Sequence, residues 1–300
     1  MHPKFLQLLA DRYVAIKSQY PNDGRRGWHL RVLEEFWANE NRKELISSSL
    51  KLSPDLFAED DDPLDELLEG PELGVLIRTD FTNEDAWTSF SAKLDEEEKE
   101  FAKSMKSEAP ELAANAEIPP SGSGHEIRME DGESDSGSST DGIPSPLIKI
   151  INPSLPQERA IFDRISNLTA LRLFNDVDIR PSLIAPSGTA RISPPNRLVD
   201  HGGWQEIYTG VNLWIYDATS NTDQCVRLVG QDGGGIYGTA TGDSWRARGT
   251  HICELQFNMS YLGMKIDFGG LDRWDFGERR RNMDEATKFL TEHKSKPETI

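Results

Sequence analysis

The sequence predicts an α/β or α+β fold: a small mixed sheet with flanking helices, carrying an N-terminal helical hairpin and a disordered acidic insert. Three observations lead there. Short apolar runs at 74–79, 147–151 and 211–216 have the length and the β-branched content of strands. Between them, apolar residues recur at spacings of three and four, as they do on amphipathic helices, and strands alternating with helices build layered α/β structures. The stretch from Ser107 to Pro146, by contrast, holds almost no large apolar side chains.

Taken in order, Phe5, Leu9, Tyr13, Ile16 and Tyr20 form the stripe of a first helix over residues 4–20, which Pro21-Asn22-Asp23-Gly24 stops. A second helix is expected from Trp28 to Lys43, with Val32, Leu33, Phe36 and Trp37 inward. A face this aromatic has to dock on the rest of the chain or on a partner. From Asp55 to Glu72 every charge is negative, which predicts an extended, self-repelling linker; Leu64, Leu67 and Leu68 within it suit a single helical turn. Gly74 to Thr79 is the first strand, followed by a helix capped at Thr82 with Trp87, Phe90 and Leu94 inside.

The insert 107–146 cannot offset the entropy of ordering and is expected to be disordered. Its run Glu133-Ser134-Asp135-Ser136-Gly137-Ser138 sets hydroxyls among acids, which makes Ser134, Ser136 and Ser138 candidate phosphosites. Leu147 to Ile151 is the second strand. Ser154 and Gln157 then have the spacing of a capping box for a helix burying Ile161, Ile165 and Leu168, while Leu171 to Val177 is left open between continued helix and separate turn. Val211 to Tyr216 is the clearest strand, with Cys225 to Val229 as its neighbour. Gly233-Gly234-Gly235 marks a turn, Thr250 begins a helix with Ile252, Leu255, Met259 and Leu262 inward, and Met283 to His293 reads as a final exposed helix.

Composition bounds the function. The 300 residues are 36% hydrophobic with a net charge of −18, and the pI is 4.8 with a mean hydropathy of −0.57. Such a field repels phosphate backbones and anionic lipid, so neither nucleic acid nor membrane is expected as a partner. No run approaches the roughly 18 apolar residues of a membrane span, and Met1-His2-Pro3-Lys4 lacks the apolar stretch of a signal peptide. The expected location is cytoplasmic or nuclear. Cys225 and Cys253 are too few for a disulfide framework or a cysteine zinc site; both read as buried thiols, and neither a metal nor another cofactor is expected.

Val75 to Phe81 with Trp87 beyond it, Trp214 to Thr219, and Asn258-Met259-Ser260 leading to Asp267-Phe268 resemble, in that order, a bacterial and fungal family known as domain of unknown function 6924. The resemblance covers three short blocks between about 72 and 276 and implies a small α/β domain without an assigned activity. The insert, the hairpin and the glycine-rich turn near Gly233 depart from the family pattern.

If the strands at 74–79 and 211–216 are parallel, Arg78, Asp80 and Asp217 share their carboxyl edge, where open α/β sheets bind ligands. Two aspartates there could hold Mg²⁺ or share acid/base work. The plainer reading is favoured: Asp80 satisfies the free amides of the following helix and Asp217 closes an Asx turn. His201, beside Asp200 in a glycine-rich loop, completes the candidate ligand edge. His251 and Cys253 diverge on a helix and do not make a metal pair. Trp245-Arg246-Ala247-Arg248 and Glu278-Arg279-Arg280-Arg281 read as ion-paired surface.

The chain thus divides into an N-terminal hairpin (1–50), an acidic linker (51–72), an α/β domain (73–276) broken by the insert 107–146, and a C-terminal helix and tail (277–300). The expected function is a non-enzymatic interaction or regulatory module with a protein partner. The alternative is a small enzyme or a metal- or ligand-binding domain using the edge carboxylates.

Overall fold

The computed structural model describes residues 3–38, 60–70, 72–114, 146–182, 195–231, 240–266 and 276–294, with side chains to 105 in the long third helix and to 288 in the last. The expectations for Ser134, Ser136 and Ser138, for most of the insert and for the Gly233 turn lie outside those residues. Among the described residues the chain is α/β. A five-stranded mixed sheet has the order β2-β1-β5-β6-β7, from Ile148–Ile151, Gly74–Arg78, Asn212–Tyr216, Cys225–Gly230 and Asp243–Arg248. The first three are mutually parallel and the last two antiparallel. A separate antiparallel pair joins β3 (Asp176–Pro181) to β4 (Trp204–Thr209).

The alternation of side chains along the strands decides what covers each face. Val75, Ile77, Leu213 and Ile215 point into one core, while Leu76, Trp214 and Tyr216 point into the other. Every residue of β1 is buried, as expected of a parallel strand covered on both sides. On the second face lie α3 (Glu84–Ala114) and α7 (Ile252–Tyr261), whose Trp87, Phe90, Leu94 and Ile252 join Trp214. On the first lie α1 (Pro3–Gln19), α2 (Gly24–Ala38), α5 (Asn167–Phe174) and the β3–β4 pair. Phe5, Leu9, Val32 and Phe36 belong to the same buried cluster as Ile77 and Leu213, so the hairpin is one of the layers of the sheet rather than an appended unit.

Several expectations change. Residues 60–70 are not an extended linker: Asp62 is buried, its carboxylate pairs with Arg26 at 3.0 Å and accepts the Arg26 backbone amide at 2.8 Å, and Asp60 meets Lys17. The repulsion within this acidic run is relieved because α1 and α2 supply the opposite charges, and Leu67 and Leu68 pack on the core. The second helix starts at Gly24, four residues early, and Asn83 rather than Thr82 caps α3, accepting the Ala86 amide at 3.0 Å. α3 itself continues to Ala114, into the stretch expected to be disordered.

No capping box forms at Ser154. Leu155 is the cap residue of α4 (Pro156–Phe162), which buries Phe162 and leaves Ile161 50% exposed. The open segment 171–177 resolves into the end of α5 followed by β3. Leu262 lies exposed beyond α7, whose cap residue is His251 rather than Thr250, and Cys225 is only half-buried whereas Cys253 is buried. The last helix, α8 (Phe276–Lys294), starts before Met283 and is not simply exposed: Asn282 and Ala286 are fully buried, and Asn282 donates to the carbonyls of Thr241 and Gly242 at 2.9 Å. No helix among the described residues is long and apolar enough to cross a membrane.

Candidate functional site

The register Arg78↔Tyr216 places the carboxyl ends of β1 and β5 side by side. β1 leads through α3 to β2 on one side while β5 lies on its other side, so the gap between β1 and β5 is where an open sheet of this kind would admit a ligand. Here that gap is stitched. Thr79 donates to the Tyr216 carbonyl from its amide at 2.9 Å and from its hydroxyl at 3.0 Å, and Asn221 Nδ2 donates to Asp80 Oδ1 at 2.8 Å.

Asp80 and Asp217 are both committed. Asp80 Oδ1 also takes the Thr82 amide at 3.0 Å and its hydroxyl at 2.5 Å. Burial opposes its charge, but these bonds and the one from Asn221 more than compensate, holding its pKa below the ordinary carboxylate value. Asp217 Oδ1 closes the turn of Ser220, accepting its amide at 3.0 Å, while Arg246 and Arg227 reach Oδ2 at 2.9 and 3.1 Å. Its burial is likewise outweighed, by Arg246 above all, and its pKa is also lowered. Arg246 comes from one of the two expected basic clusters, and Arg279 of the other pairs with Asp243 at 2.6 Å, so both are ion-paired.

Arg78 is fully buried at this edge. Its Nε donates to the Asp80 carbonyl at 2.9 Å and its Nη1 to Glu84 at 2.8 Å, with the guanidinium 5.0 and 4.9 Å from the ring centres of Phe81 and Trp87. These contacts make it the pin of the β1–α3 turn. His201 is placed elsewhere: it lies against the Trp37 ring of α2 at 5.3 Å, at the approach to β4, so it belongs with the hairpin and not with the aspartates. Among the described residues no three His, Cys, Asp or Glu side chains are grouped to hold a metal ion.

A second polar cluster was not visible in the sequence. Arg197, with none of its surface exposed, reaches Glu34 of α2 at 2.6 Å and Glu206 of β4 at 3.2 Å. Glu206 is also fully buried and accepts from Arg172 at 3.1 Å, from the Tyr208 hydroxyl at 2.8 Å and from the Trp37 indole at 3.2 Å. Burial opposes the charge of Glu206; Arg197 and Arg172 reverse that and hold its pKa low. The faint signals were Glu34 beside Leu33 and ahead of Phe36-Trp37 in a buried stripe, and Glu206 within a strand covered on both faces.

Two groups of α2 couple this layer to pH. Burial raises Glu34 from 4.5 to about 7 and lowers His29 from 6.5 to about 4. The fold therefore holds the Glu34 proton more tightly than the unfolded chain, a contribution to stability lost as pH rises from 4.5 towards 7. His29 acts in the opposite sense: its contribution is complete above 6.5 and is lost as pH falls towards 4. Between pH 4.5 and 6.5 the two slopes cancel. In Glu34→Gln only the His29 slope remains, so the variant is expected to gain about 2 kcal/mol over that window while the wild type stays nearly level. Urea denaturation at both pH values measures this, and parallel curves for the two proteins would remove Glu34 as the compensating group.

Compared with known protein families, with curated proteins and with solved structures, the chain matches none.

Proposed function

We propose that this chain is a non-enzymatic interaction or regulatory module of the cytosol or nucleus, within the bacterial and fungal family it resembles. The observation carrying this reading is the state of the sheet edge. A carboxylate that titrates below its ordinary value does not take up a proton at neutral pH. Asp217, tied to its own turn and to two arginines, presents no open position to a metal, and Asp80 is bound to Thr82 and Asn221. The surface adds support: Ile150 of the edge strand β2, and Leu155 and Ile161 beyond it, are 39%, 54% and 50% exposed, apolar side chains open to a partner. Phosphorylation at Ser134, Ser136 and Ser138 would add charge to the acidic insert and regulate the contact.

Leu155→Glu with Ile161→Glu tests these side chains in the full chain, since both are exposed enough to change without emptying a core. Affinity purification should lose its partner proteins with the double variant; an unchanged set would eliminate these two side chains as the contact. For the enzymatic alternative the discriminating measurement is thermal. Millimolar Mg²⁺ is expected to leave the Tm where it was, whereas a magnesium-dependent rise abolished by Asp80→Ala and by Asp217→Ala would restore that reading.

A further inference from the structure

α3 is longer than the sheet it covers. Its 31 residues span about 46 Å, whereas the five residues of β1 span about 17 Å. α7 runs beside it in the same direction: Gly249, just before α7, closes on Phe90, and Phe257 meets Phe101. Gln256 marks where the sheet stops, because it packs on Gly74, the first residue of β1, and its Nε2 donates to the Leu73 carbonyl at 2.9 Å. The turns that follow on both helices continue past the strands.

Those turns carry apolar side chains. The rings of Phe101 and Phe257 are 5.4 Å apart and those of Phe257 and Tyr261 4.9 Å apart, so the three form one continuous row. Met105 lies one turn beyond Phe101, and Leu262, 71% exposed, follows Tyr261, 49% exposed. Carboxylates border the row. Glu97 precedes Phe101 by one turn and Glu254 precedes Phe257 by one turn. After burial and Glu98, Glu97 contributes to raising the Cys253 thiol, which sets it beside α7. From Asp95 to Met105 α3 has five acids and two lysines, and one of these, Lys99, is paired with Asp95.

A row of rings with an acidic border fits the apolar stripe and flanking cations of a basic amphipathic helix. The same border, in a chain of net charge −18, opposes a second copy and anionic lipid. We propose that the overhang of α3 and α7 docks a basic amphipathic helix of a partner protein, its apolar stripe covering Phe257, Tyr261 and Leu262 and its lysines or arginines meeting Glu97 and Glu254. This surface uses neither Leu155 nor Ile161, so either contact can fail without the other.

The probe is a fluorescein-labelled peptide of about 18 residues built from leucine and lysine, apolar at i, i+3, i+4 and i+7. Its controls are the same composition in shuffled order and the same pattern with glutamate for lysine. Titrated with the full chain and followed by anisotropy, the probe should bind saturably and each control at least about 10-fold more weakly. Tyr261→Ser with Leu262→Ser changes two exposed positions and should weaken the probe about 10-fold. Glu97→Lys with Glu254→Lys should reverse the preference, so that the glutamate peptide binds more tightly than the lysine one. Shuffled peptide binding as tightly as the probe, equal affinity in the wild type and the serine variant, or a preference for lysine that survives the charge reversal would each overturn the proposal. So would a concentration-dependent dimer of the full chain that the serine variant dissolves, since a second copy would then be the occupant.

Discussion

Arg197→Met is expected to cost about 3–5 kcal/mol of stability, the penalty for removing one partner from a buried ion pair. Methionine fills much of the volume, so the loss is electrostatic: Glu206 retains Arg172 but loses its second cation, and Glu34 loses its only charged partner within 4 Å among the described residues. Glu34 can escape by protonation because its pKa already stands at about 7, whereas Glu206, still held by Arg172 and Tyr208, stays charged in a fully buried place with one cation fewer. Arg197→Met combined with Glu34→Gln should therefore recover only a minor part of the loss. Urea denaturation of the four proteins of the cycle measures it, and a single-variant loss below about 1 kcal/mol would mean that the network is wet or loosely held.

Deleting residues 1–38 is expected to abolish folding. Phe5, Leu9, Val32, Leu33 and Phe36 are essentially without exposed surface and cover the core that contains Ile77, Val177 and Leu213. Burial of a large apolar side chain stabilises by about 1.5–3 kcal/mol, so five of them approach or exceed the roughly 5–15 kcal/mol by which a domain is stable. The deletion should give insoluble protein or a collapsed amide spectrum. Dispersed, native-like resonances for 72–266 would show that the sheet stands without its hairpin layer. The same reasoning bears on function: loss of a partner on truncation of the hairpin would report unfolding, so the binding surface has to be sought with point changes such as those at Leu155 and Ile161.

What could be read from the sequence follows physical lines. β1, β2, β5 and β6 were legible because a strand buried on both faces or beside such a strand leaves a largely apolar run, broken only by Lys149 in β2 and Arg227 in β6. β3, β4 and β7 were not: Asp176-Val177-Asp178-Ile179-Arg180-Pro181 and Trp204-Gln205-Glu206-Ile207-Tyr208-Thr209 carry charges that only a distant partner satisfies, such as Arg172 and Arg197 for Glu206. The acidic segment 60–70 was misread for the same reason, since one chain segment shows its own repulsion and not the arginines waiting on α2. Arg78, Asp80 and Asp217 stand at adjacent strand ends, because the ends of parallel neighbours must meet, while His201 lies apart on Trp37. Asp217 closes its own turn, as local turn chemistry favours, but Asp80 holds Thr82 and Asn221 rather than the amides of α3, which Asn83 caps. Glu34 showed only faintly, as a charge in an apolar stripe, because its significance depends on Arg197, far along the chain.

The parallel pairing of β1 with β5 has a consequence for biosynthesis. β1 acquires β5 as its neighbour only when Asn212 to Tyr216 have left the ribosome, long after Gly74 to Arg78. At the usual pace of translation, about 5–20 residues per second, the nascent hairpin and β1 wait on the order of ten seconds with aromatic faces uncovered. A chaperone holding the emerging chain would bridge that interval, and ribosomes stalled before Asn212 should display a protease-sensitive product that becomes resistant once the later strands are released.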